Sequence, residues 1–261
     1  MKISGYFYAI LLTSLTLTAS GTAVASAPES HTLNGQISEK ANPAAIPKIE
    51  LNPLSSSYSA AIDKGISING SAVRSLEPQS DGTWLYRFDV DSFIADIEES
   101  LHFRWENNQV VPLRYRYKLS GLMIPDRKRT IDFNRDTQTV SGHFEGDKFQ
   151  MDLKENALDP LGYQLQLMQD LKAGKREMVY HVIDDGDYDE DRFAVLGEET
   201  LKTALGELKT LKAEKVRDPG SKRETLMWFA PELDYLLVRL VQVESDGTRY
   251  DIEIRDANIG N

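Results

Sequence analysis

The chain has 261 residues, no cysteine and a formal net charge of −11. That charge excludes a general attraction for nucleic acid or anionic membrane surfaces. The missing cysteines exclude disulfides, thiolate catalysis and cysteine metal sites, so a domain here must be held by its core.

The first segment opens on Met1 and Lys2, runs uncharged and apolar from Ile3 to Leu17, and closes on Ala19, Ser20, Gly21, Ala23 and Ala25. This layout predicts a secretory signal peptide over residues 1–25. Cleavage is expected before Ser26, because the alternative cut after Ala27 would place Pro28, with its fixed φ and no N–H, beside the scissile bond. The apolar run is too short and too rich in Thr and Ser for a good span. No stable membrane insertion is therefore expected after cleavage, which removes Lys2 and leaves a net charge of −12. Residues 26–53 carry Pro28, Pro43, Pro47 and Pro53 without sustained periodicity. They read as a disordered or loosely docked leader.

After Pro53 the signal is period two, and residues 54–257 read as a single β-rich domain. Ser57 to Ala60 starts a first strand, and Ile66 to Leu76 forms a second that ends at Pro78. Asp81-Gly82 marks a hairpin, after which Trp84, Tyr86, Phe88 and Val90 alternate. Ile97 to Trp105 and Val110 to Leu119 pair across Glu106-Asn107-Asn108. On the second of these, Leu113, Tyr115, Tyr117 and Leu119 share one face and Arg114, Arg116 and Lys118 the other, as in a half-buried antiparallel strand. Strands continue at Thr130 to Asn134, Thr139 to Phe144 and Lys148 to Leu153.

The period then changes. Leu158, Leu161, Leu165, Met168 and Leu171 recur at three and four residues, with Asp159 as N-cap, Pro160 at the first position and Gly174 past the end. This predicts one amphipathic helix over about 159–173. Strands resume at Glu177 to Ile183, Arg192 to Leu201, Glu207 to Val216, Glu224 to Phe229, Leu236 to Glu244 and Arg249 to Ile254. The fold class expected is mainly β: a meandering antiparallel sheet curled into a half-barrel or open barrel, with one helix.

Several local patterns run in order through this domain. They begin with Gly65-Ile66, Asn69-Gly70-Ser71-Ala72, Glu99-Ser100 with Phe103, and Pro112 with Tyr115, Tyr117 and Gly121. Ile131-Asp132-Phe133, Leu158-Asp159, Tyr163-Gln164-Leu165 and Leu171-Lys172-Ala173-Gly174 follow. The last are Gly197-Glu198-Glu199, Thr203, Leu205-Gly206, Thr225 with Trp228, and Val238-Arg239 before Asp246-Gly247. This ordered set resembles the domain-of-unknown-function family 3108, exported proteins of Gram-negative bacteria. The resemblance implies a β-rich periplasmic domain, distantly similar in architecture to the half-barrel of lipoprotein carriers. It implies no activity, so no residue inherits a catalytic role and no cofactor is expected.

The remaining candidates are local. Asp185, Asp187, Asp189 and Asp191 alternate as calcium-loop ligands do. Glu190 stands where that loop needs glycine and Leu196 where it needs its closing acid. A solvated hairpin tip is expected, with Asp185, Asp187 and Asp189 the nearest approach to a metal site. Glu198 and Glu199 point to opposite faces of a strand, so one of them is expected to make a buried structural hydrogen bond instead of forming a catalytic pair. His31, His102, His143 and His181 form no ligand motif, and phosphate-loop, dinucleotide and nucleophile-elbow motifs are absent. That leaves the aromatics. Phe103, Trp105, Tyr115, Tyr117 and Trp228 would line the concave face of a curled sheet, as core or as a groove for an apolar ligand. The expectation is non-enzymatic binding of a lipid-like ligand or an envelope protein on that face. The alternatives are a hydrolase-type enzyme with a site assembled from distant strands and a ligand-free envelope scaffold.

Overall fold

The computed structural model describes residues 48–65, 67–122 and 125–260. The expected signal peptide and most of the leader lie outside them. Fourteen strands form one antiparallel sheet: β1 (Leu54–Asp63), β2 (Ser67–Pro78), β3 (Trp84–Ser92), β4 (Asp96–Glu106), β5 (Gln109–Ser120), β6 (Arg127–Asn134), β7 (Thr139–Phe144), β8 (Asp147–Asp152), β9 (Glu177–Asp184), β10 (Asp187–Thr203), β11 (Gly206–Lys215), β12 (Glu224–Ala230), β13 (Leu236–Val243) and β14 (Arg249–Ile259). The single α-helix among the described residues, α1 (Gly162–Lys172), lies between β8 and β9 in the chain.

Strand order explains the shape. β1 pairs with both β2 and β14, so the domain begins and ends in mid-sheet. Two meanders run outward from that pair to the edges β8 and β9. Tight turns keep the meander in register: Asn107 and Asn108 both take positive φ, as do Asp185 and Gly186, the geometry of two-residue hairpins whose twist matches the strands. A twisted sheet of this width curls on itself.

The edges β8 and β9 approach each other without pairing. The segment after β8 stitches them instead. Leu158 N–H donates to the His181 carbonyl at 2.9 Å, and Ile183 N–H to the Leu158 carbonyl at 2.8 Å. The Tyr188 hydroxyl accepts from Lys154 N–H at 2.9 Å and donates to the Asp152 carbonyl at 2.9 Å. Phe149 of β8 lies against Gly186, 3.2 Å from where a Cβ would stand, so that turn needs glycine for contact as well as for its φ of +79°. The result is a barrel open in its hydrogen bonding and closed by a side seam.

Helix α1 fills the interior. Every residue from Gly162 to Leu171 is buried. Leu165, Leu167, Met168 and Leu171 join the main core with Tyr86, Phe88, Leu101, Phe229 and Ile254 from the inward face of the sheet. The helix begins at Gly162 with Leu161 as its N-cap, later than the expected start at Asp159 and Pro160; Asp159 holds the turn that leads into it, its Oδ1 accepting from Leu161 N–H at 3.0 Å and Gly162 N–H at 2.9 Å. The polar face of the helix is not solvated; it is bound to the barrel wall. Arg74 donates to Gln164 Oε1 at 2.9 Å, Val110 N–H donates to Gln166 Oε1 at 2.8 Å, and the Tyr180 hydroxyl donates to Asp170 Oδ2 at 2.8 Å. Among the described residues no helix is long and apolar enough to cross a membrane.

The end of the leader is docked. Leu51 is buried in the main core, Ile49 N–H donates to Asn108 Oδ1 at 2.8 Å, and Gly260 N–H donates to the Pro53 carbonyl at 2.7 Å. The acidic run also departs from a solvated tip. β10 begins at Asp187, so the turn is only Asp185-Gly186. Asp184 and Asp191 are buried, the first against Arg129 and the second in an ion pair with Lys215 at 2.6 Å.

Candidate functional site

The five aromatics expected on one concave face do not line a groove together. Phe103 and Tyr115 are 0% and 1% exposed, inside the main core, where α1 occupies the space a ligand would need. Tyr115 donates its hydroxyl proton to the Glu99 carboxylate. Trp105 is half-buried, and its indole N–H donates to the Ile49 carbonyl at 2.8 Å, clamping the leader. Trp228 lies in the cross-strand row Lys212–Trp228–Arg239, between a lysine and an arginine 5.1 and 5.5 Å from its ring centroid, and its N–H donates to Glu199. Glu199 thus makes a hydrogen bond, but from an exposed side chain and not the buried position expected of one member of its pair. Tyr117 is half-buried with the Arg129 guanidinium 5.6 Å from its ring.

The interior is polar where it meets α1. Arg74 lies 4.9 Å from the Phe88 ring centroid and donates to the Tyr86 hydroxyl at 2.6 Å. Burial pushes the Tyr86 phenol up to about 12. Burial also pushes the Glu99 carboxyl up to about 7, against the lowering effects of Tyr115, Arg129 and Arg74. Asp159 is pushed up to about 7 by the same cause, against its two backbone donors, and its Oδ2 has no partner. Acids poised near neutrality are what proton transfer needs. Asp159 sits wholly within the packed core, where a void of about 10 Å³ beside Arg74 and Tyr163 has room for about one water and no substrate; Glu99, 9% exposed, reaches the lining of an open concavity on the outer wall. Among the described residues no group of three or more acidic or histidine side chains gathers to hold a metal; Asp185 instead pairs with Arg129 at 3.1 Å.

An open concavity lies on the outer wall. It encloses about 250 Å³ over β3, β4, β5 and β6. Two outward rows build it from the register. One is Asp89–Glu98–Lys118–Lys128; the other is Arg87–Ser100–Arg116–Thr130. Between them runs the inward row Glu99–Tyr117–Arg129, which completes the lining from the sheet itself. From the outward rows, four cations and two acids face this dish, a positive surface on an acidic chain. Lys118 and Lys128 are direct cross-strand neighbours, a like-charge pairing that costs stability. Glu98 neutralises Lys118 at 2.8 Å, and Asp132 holds Arg116 at 2.8 Å. Lys128 and Arg87 make no ion pair among the described residues. Alternation alone placed Arg116 and Lys118 on the outer face. Their convergence with Arg87 and Lys128 depends on the register of four strands, which no local pattern encodes.

A family model described as "Protein of unknown function (DUF3108)" matches residues 63–255. No curated protein matches the chain. Among solved structures, a β-barrel-like protein of domain of unknown function DUF1849 from Brucella abortus superposes with a TM-score of 0.56 at 9% identity, covering 82% of this chain and 100% of that one. At that identity the likeness concerns the fold alone. MucB in the Pseudomonas aeruginosa MucA/MucB complex aligns at a TM-score of 0.31 and 10% identity, over 80% of this chain and 52% of that one. This chain therefore spans about half the length of that protein, and the overlap is too loose to carry an argument.

Proposed function

This chain belongs to the DUF3108 family, proteins of unknown function, and from that premise we propose that it is an exported, non-enzymatic binding protein of the cell envelope. Its ligand is an anionic amphiphile, and the binding site is the outer dish of β3–β6. One observation carries this reading: the open dish places four cations against two acids, including the Lys118–Lys128 pair that the fold does not need. Local rules of stability are broken most often where a site is being built. The concave face supports ligand binding less well, because α1 and its polar contacts fill it. The signal-peptide pattern of residues 1–25 supports export to the periplasm.

Isothermal titration with dihexanoyl phosphatidylglycerol, held below its micelle concentration, tests the site. Binding is expected, and Arg87→Glu combined with Lys128→Glu should weaken it at least about tenfold, or about 1.4 kcal/mol. No binding, or binding unchanged in the double variant, contradicts the reading. Export has its own check. Intact mass of the protein recovered from the periplasm should correspond to a start near Ser26; a mass retaining residues 1–25 would contradict it.

A further inference from the structure

The end of the barrel beside the dish carries two apolar loop tips. Phe93, in the β3–β4 turn, is 85% exposed, and Leu122, after β5, is 64% exposed. Phe93 is the most exposed of the large apolar side chains among the described residues. The two tips are joined, because Leu122 N–H donates to the Ile94 carbonyl at 3.1 Å. The first is held in shape by Ser92, whose hydroxyl donates to the Ala95 carbonyl at 2.7 Å and accepts from Ala95 N–H at 3.1 Å. A small separate core of Ala95, Ile97 and Leu119 supports them from within. An ordered turn that presents an aromatic ring to solvent needs an apolar partner to explain it.

Charge identifies that partner. β5 and β6, the strands flanking Leu122, carry six basic side chains and one acid, whereas β3 and β4, which flank Phe93, carry two basic side chains and six acids, so the positive charge of this end is confined to its β5–β6 side while the whole chain is at −11. Only charges within a Debye length of about 8 Å act strongly at physiological salt, so the β5–β6 side of this end can be attracted to a surface that the molecule as a whole is not. Lys118 stands four residues before Leu122, and its cross-strand neighbour Lys128 is level with it. Four residues span about 13 Å along a strand. With the tips sunk about 5–10 Å into the acyl boundary, the basic rim would lie near the phosphate layer.

We propose that Phe93 and Leu122 form a wedge that docks the protein peripherally on a bilayer of anionic lipids, with Lys118 and Lys128 meeting headgroup phosphates. The proposal deepens the reading of the dish by naming the bilayer as the source of its ligand, and it rests on that reading for the role of the lysines. Co-sedimentation of the exported protein with vesicles of phosphatidylcholine containing phosphatidylglycerol, and of phosphatidylcholine alone, tests it. Binding is expected to the anionic vesicles only, and to be lost at high salt. Phe93→Ser with Leu122→Ser should weaken it at least about tenfold, and Lys128→Glu at least about fivefold. Leu205→Ser, at an exposed apolar site elsewhere, should leave it unchanged. Failure of the wild type to sediment at low salt, equal binding to both vesicles, or full binding by the tip variant overturns the proposal. Titration of soluble dihexanoyl phosphatidylglycerol separates the two claims. Soluble binding without vesicle binding removes the wedge and keeps the dish; vesicle binding that needs the tips but survives Arg87→Glu with Lys128→Glu removes the dish and keeps the wedge.

Discussion

Glu99 and Asp159 hold their carboxyl groups inside the barrel, and burial raises both to about 7. In the unfolded chain such groups titrate near pH 4. Between about pH 4 and pH 7 the folded state therefore keeps protons that the unfolded state has released. Stability from these two groups is fully present below that window and is lost as pH rises through it. Each contributes up to about 4 kcal/mol on this scale. Lys215, lowered to about 8 by burial despite Asp191, acts in the opposite direction between about 8 and 10.5, outside that window. The melting temperature should thus be higher at pH 5 than at pH 7.5, and Glu99→Gln with Asp159→Asn should flatten the difference, since asparagine still accepts at the turn that leads into the helix. A melting temperature that rises toward pH 7.5 in the wild type contradicts this account of the interior acids.

At the scale of elements, the side seam between β8 and β9 rests on one buried cation. Arg129 of β6 binds Asp184 at the end of β9, packs on Phe144 at 4.7 Å, and is almost fully covered. Arg129→Met should cost about 3–5 kcal/mol, because it leaves Asp184 buried without its charge partner. Arg114→Met, which loses an exposed pair with Asp132 at 3.2 Å, should cost less than about 1 kcal/mol. Denaturant melts of the two variants check the contrast, and equal losses would refute the seam's role. The strands were legible because apolar and polar residues alternate so regularly from Tyr58 to Ile254. The helix was legible from its spacing and from Asp159. What stayed hidden was pairing across distance. Asp184 and Asp191 read as solvated because their partners, Arg129 and Lys215, lie far off in the sequence. Gln164, Gln166 and Asp170 read as a wet helix face because nothing local announces the wall they bind.

On the scale of the whole molecule, a fourteen-strand sheet closes around its own helix and leaves its recognition chemistry outside. The interior is filled, the dish is open, and the apolar tips share the end of the barrel nearest the dish. This arrangement separates what holds the fold from what would touch a ligand, so variants at Arg87, Lys128, Phe93 and Leu122 should change stability by no more than about 0.5 kcal/mol each. Hydrogen exchange recorded during titration with dihexanoyl phosphatidylglycerol tests the central claim, that the ligand is held on the outer wall. Added protection is expected over β3–β6 and the turns between them, with α1 and β9 unchanged. Ligand-dependent opening of α1, with protection gained by the strands that face it and none over β3–β6, would place the binding site in the interior and contradict the account.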